Sequence, residues 1–138
     1  TPHPSVVDLD VDRAGDLARD LTSRHPIPRV DAASFDKLPA LLPESTGVVH
    51  ATPTGMAEHP GIAFDASLLR PDLWVADIVY RPLDTALLQA ARAAGAATLD
   101  GGHMAVYQAV DAFALITGLR PDADRMTRHF RQLVANPS

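Results

Sequence analysis

The stretch Leu73-Trp74-Val75-Ala76-Asp77-Ile78-Val79-Tyr80 decides the fold. Apart from Asp77 it is apolar, β-branched or aromatic, which makes it the strongest strand of the chain, and Pro82 stops it. The Ala/Leu-rich segment from Asp84 to Ala94 follows as a helix, closed by Gly95 in the C′ position. Ala96 to Leu99 is one more short strand. A strand, a helix and a strand in immediate succession form a βαβ unit, whose strands run parallel.

Working outward, the same alternation holds on both sides. Ser5-Val6-Val7-Asp8-Leu9-Asp10 reads as a strand that feeds a helix over 12–21. There Ala14, Leu17, Ala18 and Leu21 make an amphipathic stripe, with Asp10 or Asp12 as its cap. Ile27 to Val30 is a weaker strand, and Pro26 and Pro28 place it at a sheet edge. Asp36 to Leu42 reads as a short helix and Thr46 to Thr52 as a buried strand broken by Pro53-Thr54-Gly55-Met56. Beyond the turn Asp100-Gly101-Gly102-His103, a helix spans 104–117 and ends at Gly118, and Pro121 starts a last helix that runs to Ala135. The fold class is therefore α/β, a doubly wound parallel sheet of the Rossmann-like kind with helices on both faces. Its Pro/Gly-rich segments fall mostly after strands, where ligand loops of such sheets gather.

Length and composition narrow the function. A chain of 138 residues fits one hydrophobic core, with 46% hydrophobic and 21% charged residues. No apolar run approaches the roughly 18 residues of a membrane span, and 1–10 has no signal-peptide pattern, so no membrane association and a cytoplasmic setting are expected. A net charge of −5 argues against a nucleic-acid partner. With no Cys, disulfides, thiolate catalysis and cysteine metal sites are excluded. Six His, at 3, 25, 50, 59, 103 and 129, show no ligand spacing, so no metal is expected and surface or loop positions are.

Several residues stand where chemistry would occur. Asp8 ends a strand before a helix, which suits a ribose ligand and equally a turn or cap residue. The segment 50–56 combines a strand end with exposed turn backbone, fit for a flat cofactor or simply a loop. Asp77, among apolar neighbours, is costly to bury without hydrogen bonds and is expected to anchor loop backbone. Tyr80 and Gln108 offer polar tips to a hydroxylated ligand or to water. Gly101 and Gly102 permit close backbone approach, which a plain turn also needs. No G-x-G-x-x-G occurs anywhere in the chain.

From about Ser5 to Leu133 the sequence resembles the nucleotide-binding portion of the shikimate/quinate dehydrogenase family. Val48-Val49-His50-Ala51-Thr52-Pro53-Thr54-Gly55-Met56 stands against the family's V-N-A-T-P-x-G-M. The run from Trp74 through Asp77 and Tyr80 to Thr85 stands against its D-x-V-Y-x-P-x-x-T, and Asp100-Gly101-Gly102-His103-Met104 through Gln108-Ala109 against its D-G-x-x-M-x-x-x-Q-A. The resemblance implies reversible hydride transfer between NAD(P) and 3-dehydroshikimate or 3-dehydroquinate. It implies cofactor contacts at Asp8, Ala51, Thr52, Pro53, Gly101 and Met104, and contacts to the cyclohexene acid at Tyr80 and Gln108. NADP-using members carry an Asn-Arg-Thr-like run where this chain has Asp8-Leu9-Asp10; two carboxylates without an Arg repel a 2′-phosphate and accept a 2′-hydroxyl, so NAD is preferred over NADP.

His50 stands in place of the family's Asn. The family's catalytic Lys and Asp belong to an N-terminal substrate domain that is absent from these 138 residues, so Lys37, the chain's only Lys, takes no catalytic role and no catalytic residue is assigned. The whole chain, 1–138, reads as a partial Rossmann domain with C-terminal helices, its first strand and glycine-rich loop absent. Two unpaired strand edges would result, to be completed by a missing N-terminal portion or a dimer partner. The expected function is thus the C-terminal portion of a shikimate/quinate dehydrogenase, inactive alone and part of a longer polypeptide. The alternative is a non-catalytic remnant or an isolated binding module.

Overall fold

The computed structural model describes residues 3–135, and the chain divides into two compact units, Thr1–Thr46 and Gly47–Ser138. In the first unit β1 (Ser5–Asp8) leads into α1 (Val11–Arg24) and returns as β2 (Asp31–Ser34), parallel to β1 with Val6 opposite Ala32. The Asp10 carboxylate caps α1, accepting from the backbone N–H groups of Asp12 and Arg13. Ala14 and Ala18 carry the buried stripe of α1, while Leu17 stays about half exposed.

The second strand lies later than the sequence pattern placed it. Pro26 and Pro28 remove two N–H donors, the Ile27 N–H turns back to the His25 carbonyl, and the ladder with β1 opens only where the Asp31 N–H reaches the Pro4 carbonyl. Asp-Ala-Ala-Ser has little strand propensity of its own; its pairing with Val6 and Val7 decides. Over 35–44 the expected helix breaks into a 3-10 turn at Phe35–Lys37, the single α-turn α2 (Leu38–Leu41) and a second 3-10 turn at Leu42–Glu44. Pro39 and Pro43 each sit in a first turn, where they start a helical segment but cut off the one before.

The second unit holds a three-stranded parallel sheet, ordered β3 (Gly47–His50), β4 (Trp74–Asp77), β5 (Ala97–Leu99). Between β4 and β5 runs α3 (Ala86–Ala93), and beyond β5 come α4 (Gly102–Thr117) and α5 (Ala123–Ala135). Leu69, Leu73, Val75, Leu87, Leu88, Ala91 and Ala96 form the core between α3 and the sheet. Each fully buried Leu contributes about 1.5–3 kcal/mol by leaving water. Gly47 and Trp74 are register partners, and a Cβ on Gly47 would stand 1.8 Å from the indole, so the ring lies across the glycine.

Local hydrogen bonds set the ends of these elements. Thr85 caps α3, and Gly95 closes it at φ +82 with its N–H on the Arg92 carbonyl. The Asp100 carboxylate takes the Gly102 N–H at 2.8 Å, a turn bond from the residue before the N-cap Gly101, and α4 opens two residues before the expected 104 without a side-chain cap. Asp122 accepts the Arg125 N–H at the start of α5, which begins at Ala123 rather than Pro121. Among the described residues β1 pairs only with β2, and in the second unit β3 and β5 each pair only with β4.

Candidate functional site

In the first unit, Asp8 stands at the end of β1 and does more than one job. One carboxylate oxygen accepts the Asp10 N–H at 2.9 Å, the bond of a tight turn before α1. The Arg13 guanidinium grips the same carboxylate, Nε at 3.1 Å from Oδ2 and Nη2 at 2.9 and 3.0 Å from the two oxygens. The Asp10 amide and then Arg13 hold the Asp8 carboxyl below the usual carboxylate range. Arg13 is the residue that the sequence argument missed: the run 8–10 has no Arg, but the first turn of α1 brings one back onto Asp8. The spacing of five residues across a strand–helix junction hides it from any motif of adjacent residues.

In the second unit the sites cluster at the ends of β3 and β4. His50 closes β3 and Asp77, its register partner, closes β4; they are 5% and 2% exposed. His50 Nδ1 is 2.9 Å from Asp77 Oδ1, and the same oxygen accepts the Val79 N–H at 3.0 Å. Thr85 donates its hydroxyl to Asp77 Oδ2 at 2.7 Å and accepts the Leu88 N–H on α3. Burial pushes the Asp77 carboxyl up, but the bonds from His50, Thr85 and the Val79 amide outweigh it, and the net effect lowers it.

Asp77 therefore anchors loop backbone, as expected, and it also ends the strand. The Ile78 N–H still reaches the His50 carbonyl at 3.1 Å, but the Asp77 side chain captures the Val79 N–H, and the strand ends at Asp77, three residues before the expected end at Tyr80. His50 departs from expectation, being a core residue rather than a surface or loop histidine. The missed pairing of Asp77 with Thr85 had a signal: both are fixed positions of one sequence motif, eight residues apart.

After His50 the chain enters an exposed turn. Ala51, Thr52 and Pro53 are all solvent-facing, the Met56 N–H bonds the Pro53 carbonyl at 3.1 Å, and Gly55 takes φ +98 as the third residue of that turn requires. His50 Nε2 lies 2.6 Å from Thr52 Oγ1, which also accepts the Thr54 N–H. Tyr80 is 44% exposed and its ring packs on Phe130 of α5 at 6.5 Å between centroids. Gly101 is buried under the end of β4, while Met104 and Gln108, one helical turn apart on α4, are exposed.

In the first unit, a carboxylate at a strand end suits the two hydroxyls of a ribose. In the second, exposed turn backbone at a strand end suits a flat amide-bearing ring. Lys37 is exposed and pairs with Asp36 at 3.0 Å. Among the described residues no cluster of His, Asp or Glu could hold a metal ion, and no helix is long and apolar enough to cross a membrane.

No family model matches the chain. It is 57% identical over 131 residues, 95% of its length, to the shikimate dehydrogenase (NADP(+)) of Streptomyces avermitilis, and 50% identical over 131 residues to the quinate/shikimate dehydrogenase (NAD(+)) of Corynebacterium glutamicum. Each match covers 45% of the relative, so the chain spans less than half the length of these curated relatives. The structure superimposes on quinate dehydrogenase from Corynebacterium glutamicum in complex with NAD at a TM-score of 0.89, with 47% identity, over 95% of this chain and 46% of that one. It also matches shikimate 5-dehydrogenase from Listeria monocytogenes in complex with shikimate and NAD, at a TM-score of 0.77 and 27% identity over 91% of this chain and 46% of that one.

Proposed function

We propose, from a chain related in sequence and fold to the shikimate and quinate dehydrogenases, that it is the cofactor-binding portion of an enzyme of that activity. The reaction is hydride transfer between NAD(P) and a hydroxylated cyclohexene or cyclohexane acid of the shikimate or quinate class. One observation carries this reading: in the second unit, the three segments that resemble the family's motifs all leave the same ends of parallel strands, with His50 and Asp77 joining two of them directly. Ligands of parallel α/β sheets bind at those ends.

Each residue has a definite task. Ala51, Thr52, Pro53, Gly101 and Met104 line the nicotinamide end, and the nicotinamide supplies or accepts the hydride when bound. Tyr80 and Gln108 hold hydroxyl or carboxylate oxygens of the acid and fix its orientation. Proton transfer falls to residues beyond these 138, and the chain alone binds without turning over. The remainder of a longer polypeptide would cover the open edges of β1 and β3 and the apolar end of α4, where Leu115 and Ile116 are 87% and 84% exposed.

NAD is the preferred cofactor. Asp8 accepts from ribose hydroxyls, and a 2′-phosphate would meet two carboxylates, at 8 and 10, while Arg13 is already committed to Asp8. The test is spectrophotometric: the full-length protein should reduce NAD with shikimate or quinate, faster than NADP at equal concentration. Failure to oxidise either acid with either cofactor refutes the reading.

A further inference from the structure

His50, Asp77 and Thr85 form a buried trio whose polar atoms are all satisfied, yet one ring nitrogen of His50 is spent outside it, on the hydroxyl of solvent-facing Thr52. Asp77 needs only Nδ1–H. In the neutral ring that bond fixes the tautomer, leaving Nε2 to accept the Thr52 hydroxyl proton at 2.6 Å. Thr52 Oγ1 in turn accepts the Thr54 N–H at 3.3 Å. An unbroken series of hydrogen bonds thus runs from Leu88 on α3, through Thr85, Asp77, His50 and Thr52, to the backbone of the turn.

We propose that His50 is a positioning residue: it transmits the fixed geometry of the Asp77–Thr85 pair to the Thr52 hydroxyl and so holds the turn 52–56 in its one conformation. The Asn that the family motif has at this position carries a single amide. It can meet Asp77 but has no second polar atom where Nε2 stands, so the link to Thr52 is specific to the imidazole. A turn held this way presents Ala51, Thr52 and Pro53 to a cofactor without first having to be ordered. That last step rests on the cofactor reading given above; the positioning itself does not.

A double-mutant cycle on the full-length protein separates the two. Amide hydrogen exchange at Gly55 and Met56, without cofactor, is compared among wild type, His50→Asn, Thr52→Val and the double variant. Each single variant should speed exchange about fivefold, the worth of one net hydrogen bond. The double variant should exchange no faster than Thr52→Val alone. If the two effects multiply, or if Thr52→Val leaves Gly55 and Met56 unchanged, the proposal is overturned. Thr52→Val leaves the buried trio intact, so the second outcome decides even where His50→Asn does not fold. Thr52→Ser should restore wild-type exchange.

NAD affinity of the same variants then judges the cofactor reading. A rise of about fivefold in the NAD dissociation constant with Thr52→Val supports it. Coupled exchange with unchanged NAD affinity keeps the positioning role and overturns the assignment of this turn to the cofactor.

Discussion

Gly101 and Ile78 are in backbone contact: a Cβ on Gly101 would stand 2.4 Å from the Ile78 carbonyl oxygen and 2.7 Å from its carbon. The turn after β5 is thereby pressed onto the bend that follows β4, the bend that Asp77 creates. Neither partner can give way, because both contacting groups are main chain. Gly101→Ala should cost about 3 kcal/mol or more. Gly118, at φ +73 with open space around its missing Cβ, is the control, since Gly118→Ala pays only for the left-handed conformation, about 1–2 kcal/mol. Urea midpoints of the two variants check the order; equal midpoints contradict it.

Thr85 serves the Asp77 carboxylate and the first turn of α3 with one hydroxyl. Thr85→Ala loses a bond to a buried carboxylate, about 1–3 kcal/mol, and an N-cap, about 1 kcal/mol. Thr85→Ser should recover most of that loss. Chemical denaturation of both variants measures it, and an alanine variant as stable as wild type would show that the hydroxyl is dispensable.

Acid should act on Asp77 in a definite direction. Its folded-state carboxyl lies below the ordinary 3.8, so folding favours the ionised form. The stability that it contributes is complete above the unfolded value and disappears as pH falls through the folded one. Asp77→Asn cannot titrate. The stability gap between wild type and Asp77→Asn should narrow as the pH falls below about 4. A gap that widens on acidification has the wrong sign for this arrangement.

Asp8→Asn removes the charge that engages Arg13 and frees that guanidinium. In the full-length protein, the ratio of kcat/KM for NAD to that for NADP should fall about tenfold or more, because a released Arg is a phosphate ligand. Arg13→Ala, which takes away the ion-pair partner of Asp8 but leaves its bond from the Asp10 N–H, should keep the NAD preference. An unchanged ratio in Asp8→Asn removes Asp8 from cofactor selection.

The sequence was most informative where local chemistry and tertiary structure agree. The βαβ unit around Trp74–Asp77 is legible because apolar runs, Gly95 and the helix period all point the same way. The strand Asp31–Ser34 is not, since its four residues carry no strand preference and owe their conformation to β1. The starts of α4 and α5 moved because Asp100 and Asp122, which bond the first backbone N–H groups there, lie outside the apolar pattern. Of the candidate site, the strand-end placement of Asp8, the 51–53 turn and Gly101 follows from motif position. Arg13 on Asp8 and His50 on Thr52 do not, because each bond depends on how a side chain folds back across a junction.

The indole that lies over Gly47 has one more consequence. Trp74 is the only tryptophan among these 138 residues, and their two tyrosines, Tyr80 and Tyr107, also belong to the second unit. Intrinsic fluorescence is consequently a built-in gauge of the β3–β4 pairing and blind to the first unit. A fluorescence melt and a far-ultraviolet circular dichroism melt of the 138-residue chain will coincide only if both units unfold together; any separation between the two curves measures the first unit by difference, without a label.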